Sequence, residues 1–313
     1  MFHSFSDFLA LTRAHEWHLA PFAIEHQNYD IEVWDTGVLY IAPLSCREAS
    51  NVGSVFVYSC AIHGNETAPI EICNEMINDI VSGATPITQP VLFIFGNPAS
   101  INIGERFVEE NLNRLFSGRH TTDGKFRNNE CERAAKLETY VTRFFAKFPS
   151  AERTHYDLHT AIRDSAHEKF AVYPYLHGKP WHKHQFETLR AMGVTTFLLM
   201  EKAATTFSYY SSNTHQAHSF TIELGKVRPF GENDQSKFLA AKQTLIALLQ
   251  GHSFSASQFD ANNYQIMTVN REINKHDDSF ELTFADDLPN FTAFKHGDVI
   301  ARESGKDISV EQE

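Results

Sequence analysis

His63-Gly64-Asn65-Glu66 interrupts an apolar run, VFVYSCAIHGNETAPIEICNEM (residues 55–76), where its character turns from strand to helix. Imidazole nitrogen and carboxylate oxygen both reach Zn²⁺ at about 2.0–2.2 Å, and a catalytic zinc takes three protein ligands and keeps a fourth position open. Gly64 offers a tight turn that aims both side chains the same way, and Pro69 suits the first turn of the helix that follows. The third ligand is sought at another strand end, in THYDLHTAIR, where His159 follows Asp157 by two and so shares its face of the strand. Asp157 is placed to take the free ring N–H of a metal-bound histidine. His155 has the same parity but lies deeper in the strand and is not counted as a ligand. His-x-x-Glu alone is a weak pattern: in a chain with 17 histidines, two near strand ends are as readily ordinary surface or core residues.

Two further segments carry reactive types. GERFVEENLNRLFSG gathers Arg106, Asn113 and Arg114, whose guanidinium groups can fork onto carboxylates. The plainer alternative is that these arginines pair with Glu105, Glu109 and Glu110 on a solvated face. FTIELGKVRPFG ends a strand with Glu223, a position that is by itself usually structural. His182-Lys183-His184 suggests a second metal, but residues two apart on a helix do not face one another, so surface histidines are expected there.

These residues need elements to hold them. Apolar runs bounded by turn signals alternate with segments of helical period, the signature of an α/β sheet flanked by helices. Strands are expected at Val55 to Ile62, Val91 to Phe95, His155 to Leu158, Phe170 to Tyr173, Thr196 to Met200 and Ser219 to Leu224. Cys73, Met76, Ile77 and Ile80 make one helical stripe, and Leu137, Val141, Phe144 and Phe148 another, ended by Pro149. Helices also fit His182 to Met192 and Ser236 to Gln250. His63 and Glu66 then fall just past the carboxyl end of a strand, where open α/β sheets place their ligands. After Gly251 the pattern changes to alternating segments, NYQIMTVNREI and SFELTF, which read as a small β domain. Residues 1–50, with an initial helix and short strands around Val33 and Leu39, could pack with either unit.

Composition sets the outer limits. With 42% hydrophobic and 21% charged residues over 313 positions, the chain is long enough for about two domains. A net charge of −12, from 27 basic and 39 acidic residues, argues against nucleic acid as a partner. A small anionic substrate needs only a few arginines in one pocket. No segment approaches a membrane span or a secretory signal. Cys46, Cys60, Cys73 and Cys131 lack metal or disulfide spacing and are expected as buried thiols, so the cytoplasm is the expected compartment.

HGNE, then NPAS and ERFVEENLNRLF, then DLHTAIR, then IELG, collinear from about residue 52 to residue 231, resemble the succinylglutamate desuccinylase and aspartoacylase family, relatives of the zinc carboxypeptidases, and most closely its bacterial desuccinylases. The tail with NFTAFKHGDVIA resembles the family's second domain. The resemblance implies a zinc-carboxypeptidase-like α/β fold, a mixed sheet flanked by helices over residues 1–252, with a smaller β-rich domain over 253–313. It implies one Zn²⁺ per chain on His63, Glu66 and His159. Arg106 then polarises the scissile carbonyl, Asn113 with Arg114 grips a substrate carboxylate, and Glu223 is the catalytic glutamate. Arg163, four residues past His159, is a candidate for a second substrate carboxylate.

The implied activity is hydrolysis of N-succinyl-L-glutamate to succinate and L-glutamate, the closing step of succinyl-dependent arginine catabolism. The alternatives are another acyl-amino-acid deacylase of the aspartoacylase kind, a carboxypeptidase, and a non-catalytic metal-dependent binding protein. Two features depart from the family pattern. Asn111 stands where an aspartate often precedes Leu-Asn-Arg, and the chain stops at SVEQE, short of a strand expected to close the β domain.

Overall fold

A computed structural model describes residues 7–256 and 259–311. Its centre is a ten-stranded mixed sheet. In chain order the strands are β1 (Phe22–Ile24), β2 (Tyr29–Asp35), β3 (Val38–Pro43), β4 (Ser54–Cys60) and β5 (Val91–Phe95), then a two-stranded hairpin of β6 (Thr121–Thr122) and β7 (Lys125–Phe126). They continue with β8 (Glu152–Ala161), β9 (Phe170–Tyr173), β10 (Thr196–Met200), β11 (His218–Lys226) and β12 (Gln265–Val269), and end with β13 (Glu281–Leu282), β14 (Val299–Glu303) and β15 (Lys306–Ser309). The large sheet runs β1-β2-β3-β5-β4-β8-β11-β9-β10-β12, and β13-β14-β15 form a separate antiparallel sheet.

The unbroken apolar runs of β4 and β5 have a simple cause: helices cover both faces of the sheet. On one face Phe56, Tyr58, Phe93 and Phe95 pack with Ile72, Met76 and Ile80 of α2 (Thr67–Val81). On the other Val57, Leu92 and Ile94 pack with Leu137, Val141 and Phe144 of α4 (Asn129–Lys147). The shorter helices are α1 (Phe8–Ala14), α3 (Pro98–Ile103), α5 (Lys183–Ala191), α6 (Phe207–His215) and α7 (Leu239–Leu249).

The mixed sheet flanked by helices matches the fold class expected from the sequence, and the four cysteines are free and buried. Residues 22–43 form one edge of the large sheet rather than joining the tail. At the other edge β12, read from sequence as part of the small β unit, pairs in parallel with β10. The small sheet therefore begins later than NYQIMTV. Helix α6 had no sequence expectation. No helix among the described residues is long and apolar enough to cross a membrane.

The feature that matters for the site is the parallel trio β4, β8 and β11 in mid-sheet. Because the three run the same way, their carboxyl ends open at one edge. His63 follows β4, His159 lies near the end of β8, and Glu223 is its register partner on β11.

Candidate metal centre and substrate pocket

His63 and His159, 96 positions apart in the chain, have ring centroids 5.0 Å apart, with the Glu66 carboxylate between them. His63 Nδ1 lies 2.8 Å from Glu66 Oε1, and His159 Nδ1 lies 2.8 Å from Oε2. All three side chains are buried, and one donor atom from each falls within 4.8 Å of the others. Glu66 occupies the N-cap position of α2 but forms no side-chain cap. Its carboxylate instead also accepts from Arg106 Nη1 at 2.7 Å and from the Thr160 backbone N–H at 3.1 Å.

The turn that delivers His63 is built differently from the sequence expectation. Its left-handed residue is Ala61, at φ 55°, and Gly64 has no positive φ. Gly64 is needed for close approach: a Cβ there would lie 2.1 Å from the Ser100 carbonyl carbon and 2.3 Å from Ile101 N at the heart of α3.

Each histidine's outer nitrogen has an acceptor. His159 Nε2 meets Asp157 Oδ2 at 2.9 Å, the pairing expected from their shared strand face. His63 Nε2 meets Asn111 Oδ1 at 3.0 Å, a contact that gives the departing residue of the Leu-Asn-Arg motif a place at the site. Behind Asp157 a buried polar chain continues across the sheet. Ser59 donates to Asp157 Oδ1 at 2.5 Å, His155 Nε2 lies 2.7 Å from Ser59 Oγ, and Ser211 of α6 lies 2.6 Å from His155 Nδ1. One hydroxyl has one proton, so Ser59, having given it to Asp157, must accept from His155 Nε2–H. His155 Nδ1 then accepts from Ser211. A neutral His159 giving its Nε2–H to Asp157 keeps its Nδ1 lone pair pointed at the cluster.

The electrostatics favour a cation at this point. Burial pushes the Glu66 carboxyl up, but His159 and His63 outweigh it and hold it well below the usual range. Burial would lower His159, yet Asp157 and Glu66 keep its pKa well above the ordinary imidazole value. Burial raises Glu223 to about 7, a trend opposed by His159 and Arg106 and reinforced by Glu66. Glu223 Oε2 is shielded from solvent and has no hydrogen-bond partner among the described residues.

The loop that brings Arg106 is held by a residue the sequence reading overlooked. Buried Glu130, in the first turn of α4, accepts from Asn97 Nδ2 at 2.6 Å and from the backbone N–H groups of Val108, Glu109 and Glu110 at 2.9, 2.8 and 2.6 Å. An acidic residue in a first turn reads as a complement to the helix dipole, which is why its role was hidden. Ser59 was more visible, as the lone hydroxyl facing the same side as Val55 and Val57. Of the alternative partners considered for the arginines, Glu110 binds Arg127, while Arg106 turns inward to Glu66.

Asn113 is buried, and its Oδ1 accepts the Phe207 N–H at the start of α6 at 3.0 Å. Arg114, donating to the Asn113 carbonyl at 3.0 Å, lines a cavity of about 380 Å³ with Arg119 and Arg127. Arg163 stands apart from this group. Its guanidinium lies 5.5 Å from the Phe284 ring, in a cavity of about 450 Å³ that also includes Gly225 and Lys226 beyond Glu223. The segment after Arg163 is tied to the tail: Ser165 and Asn290 form a parallel bridge, and Asn290 N–H donates to the Asp164 carbonyl at 2.8 Å.

His182 and His184 also depart from expectation. His182 is the extended N-cap residue of α5, not part of the helix. Both rings therefore lie near His218, with centroids 4.2 and 5.0 Å from it.

Comparison with known proteins identifies the family. Residues 53–249 match the Succinylglutamate desuccinylase/Aspartoacylase catalytic domain, and residues 262–313 match the AstE/AspA barrel-sandwich hybrid domain. The chain is similar to the succinylglutamate desuccinylase of Idiomarina loihiensis, 51% identical over 96% of this chain and 88% of that protein. It is also similar to that of Shewanella piezotolerans, 46% identical over 100% and 91%. Among solved structures, the succinylglutamate desuccinylase of Chromobacterium violaceum superposes with a TM-score of 0.82 at 34% identity, covering 94% of this chain and 89% of the other. That of Vibrio cholerae gives 0.84 at 31% identity, covering 100% and 88%. By its matched catalytic domain and by relatives about half identical over nearly its whole length, the chain belongs to the succinylglutamate desuccinylase/aspartoacylase family.

Proposed function

We propose that the protein hydrolyses N-succinyl-L-glutamate to succinate and L-glutamate, using one Zn²⁺ held by His63, Glu66 and His159. The reading is carried by one observation: these three donors converge beside a Glu223 oxygen that has no hydrogen-bond partner among the described residues. Two imidazoles and a carboxylate, with Asp157 and Asn111 behind the imidazoles, form a donor set that suits a catalytic zinc. When bound, the ion supplies an acidified water and a positive charge for the amide oxygen.

The chain's own residues do the rest. Glu223 Oε2 takes the proton of the attacking water and returns it to the departing amine nitrogen. Arg106, held beside the cluster by Glu66, meets the negative charge that develops on the amide oxygen. Losing one such donor costs roughly 3 kcal/mol of transition-state stabilisation. Asn113, Arg114 and Arg163 are assigned to the substrate carboxylates. A few local arginines suffice for a chain of net charge −12 to bind a tricarboxylate.

The test is incubation with N-succinylglutamate, with and without a chelator, and measurement of free glutamate. Chelator-sensitive release is expected. Glutamate release that persists after complete metal removal overturns the metal assignment. Acetate release from N-acetylaspartate at a higher kcat/KM than succinate release overturns the substrate assignment.

A further inference from the structure

At the opposite end of the same strands lies a second convergence of ligand-type side chains that the hydrolytic site does not use. Glu152 opens β8, His218 opens β11, and His184 sits in the first turn of α5. His218 Nε2 is 2.9 Å from Glu152 Oε1, and His184 Nε2 is 3.3 Å from the same oxygen. One donor atom from each of the three lies within 4.8 Å of the others. Glu152 is seven residues before His159 on one strand, so the two clusters are on the order of 23 Å apart.

We propose that Glu152, His184 and His218 bind a late first-row divalent cation, of the zinc, nickel or copper kind, independently of the His63 cluster. A tetrahedral ion with ligands at about 2.0–2.2 Å spaces its donors by roughly 3.3–3.6 Å. The two nitrogen–oxygen separations here are within a few tenths of an ångström of that, so small side-chain adjustments suffice. Two imidazoles with one carboxylate favour such ions over magnesium or calcium, which prefer all-oxygen sites.

Two directly paired strands, β8 and β11, and the helix α5 hold the donors, so the convergence does not come from one flexible loop. The neighbouring positive charge is directed elsewhere: the Lys183 ammonium lies 5.2 Å from the Phe259 ring. His182 flanks His218 and adds a third imidazole to the surroundings. Access is open, since the Glu152 side chain is 49% exposed, that of His184 34% and that of His218 14%. One contact competes with a metal, because the Gln185 amide nitrogen lies 3.0 Å from His184 Nε2. Gln185 must release that nitrogen when a cation binds.

The experiment strips the full chain of metal, titrates it with Zn²⁺ and measures bound metal per chain. Glu152→Gln and His184→Asn are run beside the parent, with circular dichroism as a check of folding. The parent should bind one more equivalent than either variant, or bind that equivalent at least tenfold more tightly. Both variants should hydrolyse N-succinylglutamate at the parent rate in saturating Zn²⁺. The comparison is a difference between chains, so it holds whatever the His63 cluster binds. Equal stoichiometry and affinity in all three folded chains would overturn the proposal and leave an ordinary His-Glu-His hydrogen-bonded cluster.

Discussion

His63 and His159 differ in what holds their outer nitrogens: an amide oxygen from Asn111 for one and the Asp157 carboxylate for the other. A carboxylate makes an imidazole a better donor than an amide does, and loss of such a partner typically lowers metal affinity 10- to 100-fold. Asp157→Asn should therefore weaken metal binding by about that factor, and Asn111→Asp should strengthen it. Equilibrium dialysis against a competing chelator measures both, and equal affinities in all three chains would show that the outer partners do not tune the site. Glu223→Gln should keep its metal and lose turnover by about 10²- to 10⁴-fold. Turnover near the parent rate would remove Glu223 from proton transfer. At this scale the sequence was informative where strand parity applies: Asp157 and His159 were readable as one face of β8. Asn111 was not, because a loop residue's direction depends on tertiary contacts that no periodicity encodes.

Between residue and fold, the loop before the Leu112–Arg114 turn owes its shape to Glu130. Glu130→Ala removes the acceptor of three consecutive backbone N–H groups in a partly exposed loop, each of which would cost about 1–3 kcal/mol if left unsatisfied and dry. The expected result is a loss of at least about 3 kcal/mol in urea unfolding if those groups stay dry. If the loop opens to water instead, the stability loss is smaller and kcat falls as Arg106 loses its position. A variant unchanged in both stability and kcat would mean that the loop holds itself. β5, β9 and β10 were legible because short apolar runs between turn signals have few other solutions. α6 was not: FSYYSSNTH is rich in serine and aromatic residues, has no polar face, and buries six of its nine residues. Its helical state comes from packing between α4 and the sheet, with Thr206 capping its N-terminus.

Across the molecule, acid should weaken the fold through histidines kept neutral inside it. Burial, helped by Arg153, lowers His215 from 6.5 to about 4, while its Nε2 faces Thr142 Oγ1 at 3.0 Å. The unfolded chain takes up that proton near pH 6.5 and the folded chain only near pH 4, so stability should fall as pH drops through this interval. Denaturation midpoints measured across the interval should decline, and His215→Gln should make the decline shallower. An unaltered slope would mean that His215 protonates in place. The sheet's extent was harder to read than its centre, since membership of β1–β3 and β12 is decided by edge pairing between distant segments. α6, whose first N–H is fixed by Asn113 and whose Ser211 closes the polar chain behind Asp157, touches both the loop assigned to the substrate and the support of a proposed metal ligand. It works as a shared abutment. Under the proposed assignments, a push on the loop by an arriving substrate would bear on the same beam that steadies His159, making the grip on the substrate and the hold on the ion mechanically one task.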